Sequence, residues 1–304
     1  MQITKKQHYA PSFYFKRFSD NSQMIQVIDL PEGRIMKSRS YTSVCWADFY
    51  YAEKTGVSDE VSQEFETFFK EIEDYFSIDF DSILETILNY KEISPEQLDK
   101  MAWFFSCLWV RSPQMRSQLN KMTEDVMKWY AGIIASEPNF IDNAKNKLTQ
   151  KGVSFTEADL DNIQDMYQNG DLSMTISNQD HLRMIMKCEE YMHWFKAKNW
   201  RFYIAKGSKR FITSDTPVIE IFKGDTLQEQ MYNNHIMQRP QFLALTPDVL
   251  IELTDPTIGK KFKRKAVNNK EVDEHNLLRA QYSERYAYSK SKTDLQDLMQ
   301  YYLN

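Results

Sequence analysis

The period of hydrophobic and polar positions changes twice along the chain. Residues 7–18 are dense in aromatics, with Tyr9, Phe13, Tyr14, Phe15 and Phe18, so this segment is expected to be tied into a core. A short helix is expected after Pro11, with Lys16 and Arg17 on a face away from Phe15 and Phe18. Met24 to Leu30 reads as a strand, Pro31-Glu32-Gly33 as a turn, and one or two further strands are expected between Ile35 and Tyr51. From Ser58 the period becomes helical. Ser58 is the expected cap, Val61, Phe65, Phe68, Phe69 and Ile72 fall on one stripe, and residues 76–90 offer a further helix. Ser94-Pro95-Glu96-Gln97 is a helix start with cap, first-turn proline and capping-box glutamine. The helix that follows is apolar nearly all round from Met101 to Val110, which places it at the centre of the helical part. It ends at Arg111-Ser112-Pro113, and a helix from Pro113 to about Ala135 carries Arg116. Helices continue to about residue 198, the last spanning about 177–196.

After Lys198 the pattern turns to strands. Residues 199–205 lead by a Gly-Ser-Lys turn to 211–215, as a hairpin would. Further strands are expected over 218–222, 241–245 and 249–253, with a loop over 226–240. A helix over 272–282, a short strand over 286–288 and a terminal helix over 293–303 close the chain. Together these elements predict an α+β fold: a mainly antiparallel sheet built from both ends of the chain, with a large helical insertion. The expected division is a discontinuous sheet domain of residues 1–57 and 199–304 and a helical insertion of residues 58–198.

Composition narrows the class. With 304 residues, 42% hydrophobic and only 8 Gly and 9 Pro, the chain is neither disordered nor a loop-rich all-β sandwich. A formal charge of −5 argues against indiscriminate coating of DNA, though not against a local basic groove. Cys45, Cys107 and Cys188 stand alone with no metal-finger spacing, which suits structural thiols in a reducing compartment. There is no apolar leader after Met1 and no run of about 18 apolar residues, so a cytoplasmic protein with no membrane partner is expected.

The candidate chemistry centres on Phe211-Ile212-Thr213-Ser214-Asp215-Thr216-Pro217. A strand here must stop near Pro217, and so presents the Asp215 carboxylate at its mouth. The simpler reading has Ser214 and Asp215 closing a turn on the backbone. His8-Tyr9-x-Pro11 with Phe13, Phe15 and Phe18, followed by Phe49-Tyr50, resembles the opening of a widespread bacterial family, domain of unknown function 4238. Arg111-Ser112-Pro113, Thr213 to Pro217, Leu245-Thr246-Pro247, and Asn276 and Ala280 before Tyr286 match its later landmarks in order. Phe15 stands where that family more often has Leu. The resemblance spans essentially the whole chain. It implies one fold unit in which His8, Arg111, Asp215 and Asn276 come together, but no reaction.

Three readings of these residues compete. As an enzyme, His8, Asp215 and Asn276 would be catalytic, Arg17, Arg111 and Arg116 would hold an anionic substrate, and Asp215 with Glu220 would ligate Mg²⁺ or Mn²⁺. The five-residue separation of Asp215 and Glu220 puts them on opposite strand faces unless the Pro217 turn intervenes. As a binding or sensing module, the arginines would clamp a phosphate or carboxylate while His8 and Asp215 fix them in place. As structure alone, Arg111 and Asp215 would form a buried ion pair between sheet and helices. Lys260-Lys261-Phe262-Lys263-Arg264-Lys265 adds a basic run in which Lys261 and Arg264 are candidates for a nucleic-acid backbone, against the simpler account of a solvated loop. No P-loop, nucleophile elbow, Rossmann glycine run or zinc-protease motif occurs. The expectation is a phosphate-ester hydrolase, most plausibly a nuclease, with a non-catalytic anion- or nucleic-acid-binding module as the alternative.

Overall fold

The computed structural model describes residues 5–51, 64–171, 179–221 and 238–302. The chain forms two compact units, Met1–Met115 with His181–Asn304, and Arg116–Asp180. The fold is α+β, its sheets mostly antiparallel, with strands at both ends of the chain and a helical middle.

In the larger unit, β1 (Lys6–His8) pairs with β5 (Trp46–Asp48), setting His8 opposite Trp46. Between them, α1 (Ser12–Lys16) buries Tyr14 and Phe15, as the aromatic spacing predicts. One sheet joins the two ends of the chain. In it β2 (Met24–Asp29) lies between β3 (Arg34–Ile35) and β12 (Tyr286–Ser289), and β12 in turn pairs with β7 (Thr213–Ser214). The short β4 (Arg39–Ser40) also pairs with β2. A second sheet has the order β11 (Phe262–Val267), β6 (Asn199–Ala205), β10 (Val249–Thr254), β9 (Gln241–Thr246), β8 (Val218–Glu220).

The helices of this unit follow from their stripes. α2 (Glu64–Leu88) is one helix, where the sequence suggested two. Phe69, Ile72, Phe76, Phe80, Ile83 and Ile87 keep three- and four-residue spacing throughout and are all buried, so nothing interrupts the apolar face. The expected cap at Ser58 lies outside the described residues. α3 (Pro95–Arg111) carries the complete Ser94–Gln97 capping box and is buried along most of its length. Its Phe104 ring stacks on Phe76 with centroids 4.1 Å apart, and Phe105 meets Phe195 at 5.0 Å. Each such buried ring contributes on the order of 1.5–3 kcal/mol. The last helix before the sheet is two: α7 (Gln179–Met186) and α8 (Cys188–Ala197), because Lys187 leaves helical geometry and becomes the cap of the second.

Two strand assignments change. Residues 199–205 and 211–215 do not form a hairpin: β6 pairs with β10 and with β11, whereas β7 joins β12 in the other sheet. Asn276, on α9 (Asn269–Gln281), directs this, since it accepts from the Ile212 N–H at 3.0 Å and donates to the Arg210 carbonyl at 2.9 Å. The basic run is not a loop but the edge strand β11, parallel to β6. Lys263 and Lys265 are exposed there while Phe262 and Arg264 turn partly inward, a two-residue period with lysines guarding an open edge. The chain closes with α10 (Lys292–Tyr302), whose Leu295 and Leu298 pack with Ile28, Leu30 and Ile212.

The smaller unit holds most of α4 (Pro113–Ala135), with α5 (Phe140–Gln150) and α6 (Glu157–Asn169). α6 starts on a Thr156–Asp159 capping box and stops at Gly170, whose φ of 71° is the left-handed cap that glycine takes without strain. The Ala135 carbonyl accepts from Gln164 at 2.9 Å, and Phe140 meets Tyr167 with ring centroids 5.4 Å apart.

Candidate functional site

Four segments that are distant in sequence meet where the two ends of the chain join. The Tyr9 N–H donates to the Cys45 carbonyl at 3.0 Å, continuing the β1–β5 pairing by one residue. Cys45 has a φ of 55°, left-handed for a residue with a side chain, and its thiol donates to the Tyr288 hydroxyl at 3.4 Å. Tyr9 and Cys45 share a further side-chain hydrogen bond. A cavity of about 140 Å³ opens here, lined among others by Tyr9, Arg39, Ser43, Cys45, Trp46 and Tyr288. Burial pushes the Tyr9 and Tyr288 phenols and the Cys45 thiol up, so all three keep their protons at neutral pH.

Asp215 lies behind this wall. Its backbone N–H donates to the Tyr286 carbonyl at 3.0 Å. Its carboxylate accepts from the N–H groups of Glu284, Arg285 and Tyr286 at 3.1, 2.8 and 2.8 Å. Burial outweighs these three donors and pushes its pKa up to about 6. Its charge in turn raises Tyr9, Cys45 and Tyr288. The Thr-Ser-Asp-x-Pro turn therefore binds the α9–β12 connection rather than its own backbone alone.

Arg111 works from the helical side. It is 1% exposed, donates to Glu73 at 2.7 Å, to the Tyr51 hydroxyl at 2.9 Å and to the His8 carbonyl at 2.6 Å, and lies 3.9 Å from the Phe69 ring centroid. The ion pair of Arg111 with Asp215 weighed from the sequence is absent from these contacts: the acid paired with Arg111 is Glu73. His8 and Arg111 thus meet through the His8 carbonyl, while the imidazole hydrogen-bonds the Thr42 carbonyl at 3.1 Å. Asn276 and Asp215 brace residues 210–215 from two sides.

The other expected residues are dispersed. Arg17 pairs with Asp81 at 2.7 Å and sits 4.4 Å over the Phe80 ring. Arg116 lies on α4 in the smaller unit. Lys261 donates to the carbonyls of Lys196 and Lys198 at the end of α8, and Arg264 to that of Lys91. Glu220 accepts from Gln241 at 2.9 Å and lies 3.7 Å from Arg239. Burial raises its pKa against the opposing pull of Arg239, Gln241, Lys198 and Trp109. Asp215 and Glu220 have no partner in common among these contacts, and no group of three or more His, Cys, Asp or Glu is arranged to hold a metal ion among the described residues.

Sequence reasoning missed Arg39, Cys45 and Tyr288 as lining residues, and two buried cations. Lys198 donates to the Arg239 carbonyl at 2.6 Å, and burial lowers its pKa to about 8. Arg279 donates to the carbonyls of Thr216, Pro217 and Phe242, and burial lowers it to about 10. A signal for Arg279 was available: Val272, Asn276, Arg279 and Ala280 follow the i, i+4, i+7, i+8 pattern of a buried helix face.

The sequence model of the family described as Protein of unknown function (DUF4238) matches residues 6–293. The chain belongs to this family. No curated protein and no solved structure matches it. The DUF4238 match extends over both units and over every segment that lines the cavity. No helix among the described residues is long and apolar enough to cross a membrane.

Proposed function

We propose that this DUF4238 chain binds a compact anionic ligand, a phosphate or carboxylate head group, in the cavity of Tyr9, Cys45 and Tyr288, and does not turn it over. The observation that carries this reading is Arg39. It lines the cavity and is exposed, and its guanidinium has no ion pair or side-chain hydrogen bond among the described residues. Arg17, Arg111, Arg264 and Arg279 are each committed to protein partners. An uncommitted planar cation beside aromatic walls suits bidentate capture of an oxyanion. The Tyr288 hydroxyl, which accepts from the Cys45 thiol, keeps its own proton to donate, and the protonated phenols and thiol add no negative charge of their own. A volume of about 140 Å³ admits a few waters or one small head group.

The residues expected to be catalytic argue the same way. The His8 imidazole hydrogen-bonds the Thr42 carbonyl, the polar atoms of Asp215 and Asn276 are taken up by backbone groups, and those of Arg111, expected to hold substrate, by Glu73, Tyr51 and the His8 carbonyl. The test is thermal shift and calorimetry with inorganic phosphate, pyrophosphate and small carboxylates, on wild type and Arg39→Ala. At least one anion is expected to raise the melting temperature of the wild type, and Arg39→Ala to lose that shift while keeping its own melting temperature. Equal shifts in both proteins, or none in either, would overturn the reading. Turnover of a phosphodiester in Mg²⁺ or Mn²⁺, lost in Asp215→Asn, would favour hydrolysis instead.

A further inference from the structure

The cavity of Tyr9, Cys45 and Tyr288 has a buried carboxylate behind its wall. Tyr288 lies opposite Thr213 and Ala287 opposite Ser214 in the β7–β12 pairing, and Asp215 extends it by one residue. Its N–H donates to the Tyr286 carbonyl at 3.0 Å, and its carboxylate accepts from the Tyr286 N–H at 2.8 Å. Tyr286 itself lines the cavity. Residues paired in this way sit about 5 Å apart at their Cα atoms, well within the range over which a charge acts in a protein. The carboxylate belongs to a residue that is 3% exposed, and no cation pairs with it among the described residues. The charged groups around it are engaged elsewhere or of like sign. The Arg285 guanidinium holds Asp29, Arg279 donates to the Thr216 and Pro217 carbonyls and faces Tyr14, and Glu284 is a second carboxylate. The titratable groups that face it from the cavity wall are Tyr9, Cys45 and Tyr288, and each feels its charge.

Building on the anion-binding reading above, we infer that Asp215 controls occupancy of this cavity by its charge, so that an anion entering the cavity brings a proton to the Asp215 carboxylate. While Asp215 is ionised, its charge opposes that of Arg39 and repels an incoming phosphate or carboxylate. Once protonated, it leaves Arg39 unopposed. The coupling is reciprocal: an anion in the cavity raises the proton affinity of Asp215, and the proton tightens the anion by the same factor. With Asp215 titrating near 6 in the empty cavity, affinity is full below about pH 6 and falls to a lower plateau as pH rises above it. Two unit charges about 10 Å apart at a protein's effective dielectric couple by about fivefold or more.

The test is calorimetric titration with sulfate and with formate, whose own charges are constant between about pH 5 and about pH 8. Wild type is expected to bind about fivefold or more tightly at the lower pH. It should also take up protons on binding, seen as a heat that differs between two amine buffers of unlike ionisation enthalpy. Asp215→Asn should bind at both pH values with the low-pH affinity of wild type, and Arg39→Ala should bind weakly at both. His8 lies opposite Trp46 of the wall, so His8→Gln is the control and should keep the wild-type pH dependence. Wild-type binding that is flat with pH, without proton uptake, overturns the inference and leaves the anion reading standing. So does a pH dependence that Asp215→Asn keeps and His8→Gln removes. If Asp215→Asn does not fold, proton uptake by His8→Gln decides: retained, it supports the inference, and lost, it overturns it. Failure of both anions to bind wild type at either pH, or equal binding by Arg39→Ala, overturns the anion reading and the inference with it.

Discussion

At Asp215, burial and hydrogen bonding pull the same proton in opposite directions. Three backbone N–H donors favour the carboxylate, removal from water favours the acid, and the balance leaves the group near 6 against an ordinary value of 3.8. A folded-state pKa above the unfolded one means that the folded protein holds this proton more tightly. The stabilisation is therefore full below about pH 4 and lost as pH rises through about 6. A shift of about two pH units corresponds to about 3 kcal/mol. The expected outcome is that wild type loses up to that amount relative to Asp215→Asn between pH 4 and 7, measured by urea unfolding of both proteins at each pH. Taking the difference removes the other titrating groups. It removes in particular His275, which burial lowers to about 4 and which therefore destabilises the fold as pH falls below about 6.5. A difference that is flat with pH would mean that Asp215 titrates as it does in the unfolded chain.

Elements whose signals are local were legible in the sequence. The capping box at Ser94 is one: the side chain accepts from the Gln97 N–H at 3.1 Å, and Gln97 returns a bond to the Ser94 N–H at 3.1 Å. Gln97 also donates to Thr86 at 3.0 Å, so the cap fastens α3 to α2 as well. Ser94→Ala is expected to cost about 1 kcal/mol in chemical denaturation, and a cost near zero would mean that packing alone fixes where α3 begins. What stayed illegible was the choice of partner. Residues 211–215 have the composition of a hairpin arm, and only the distant Asn276 and β12 assign them to the other sheet. Lys261 and Arg264 show the same limit for the site. Sequence gives their charge, but not that the carbonyls of Lys196, Lys198 and Lys91 lie within their reach. Arg39 shows the reverse, since having no ion pair or side-chain hydrogen bond among the described residues is not written in any motif.

At the scale of the molecule, the sheet that joins the two ends makes the last twenty residues a condition for the first fifty. β12 lies between β2 and β7 in that sheet's order, and it carries two cavity residues, Tyr286 and Tyr288. Its connection to α9 and its own first residue, Tyr286, supply the three N–H groups that hold Asp215, and Arg285 in that connection grips the buried Asp29 of β2 at 2.8 Å. α10 adds apolar cover through Leu295 and Leu298 and has no part in the strand order. Two truncations therefore separate support from closure. Ending the chain at Ser291 removes α10 and uncovers Ile28, Leu30 and Ile212, a loss of several kcal/mol by the usual cost of emptied core positions. That protein should still unfold cooperatively, at a lower urea midpoint. Ending it at Ser283 removes β12 as well, leaves Asp29 and Asp215 buried without their partners, and opens β2 and β7 as unpaired edges. No cooperative transition is expected, and the near-ultraviolet signal of the aromatic core should disappear. A cooperative transition in the shorter chain would show that the helical core around α3 stabilises itself, and that closing the ends serves the cavity rather than the fold.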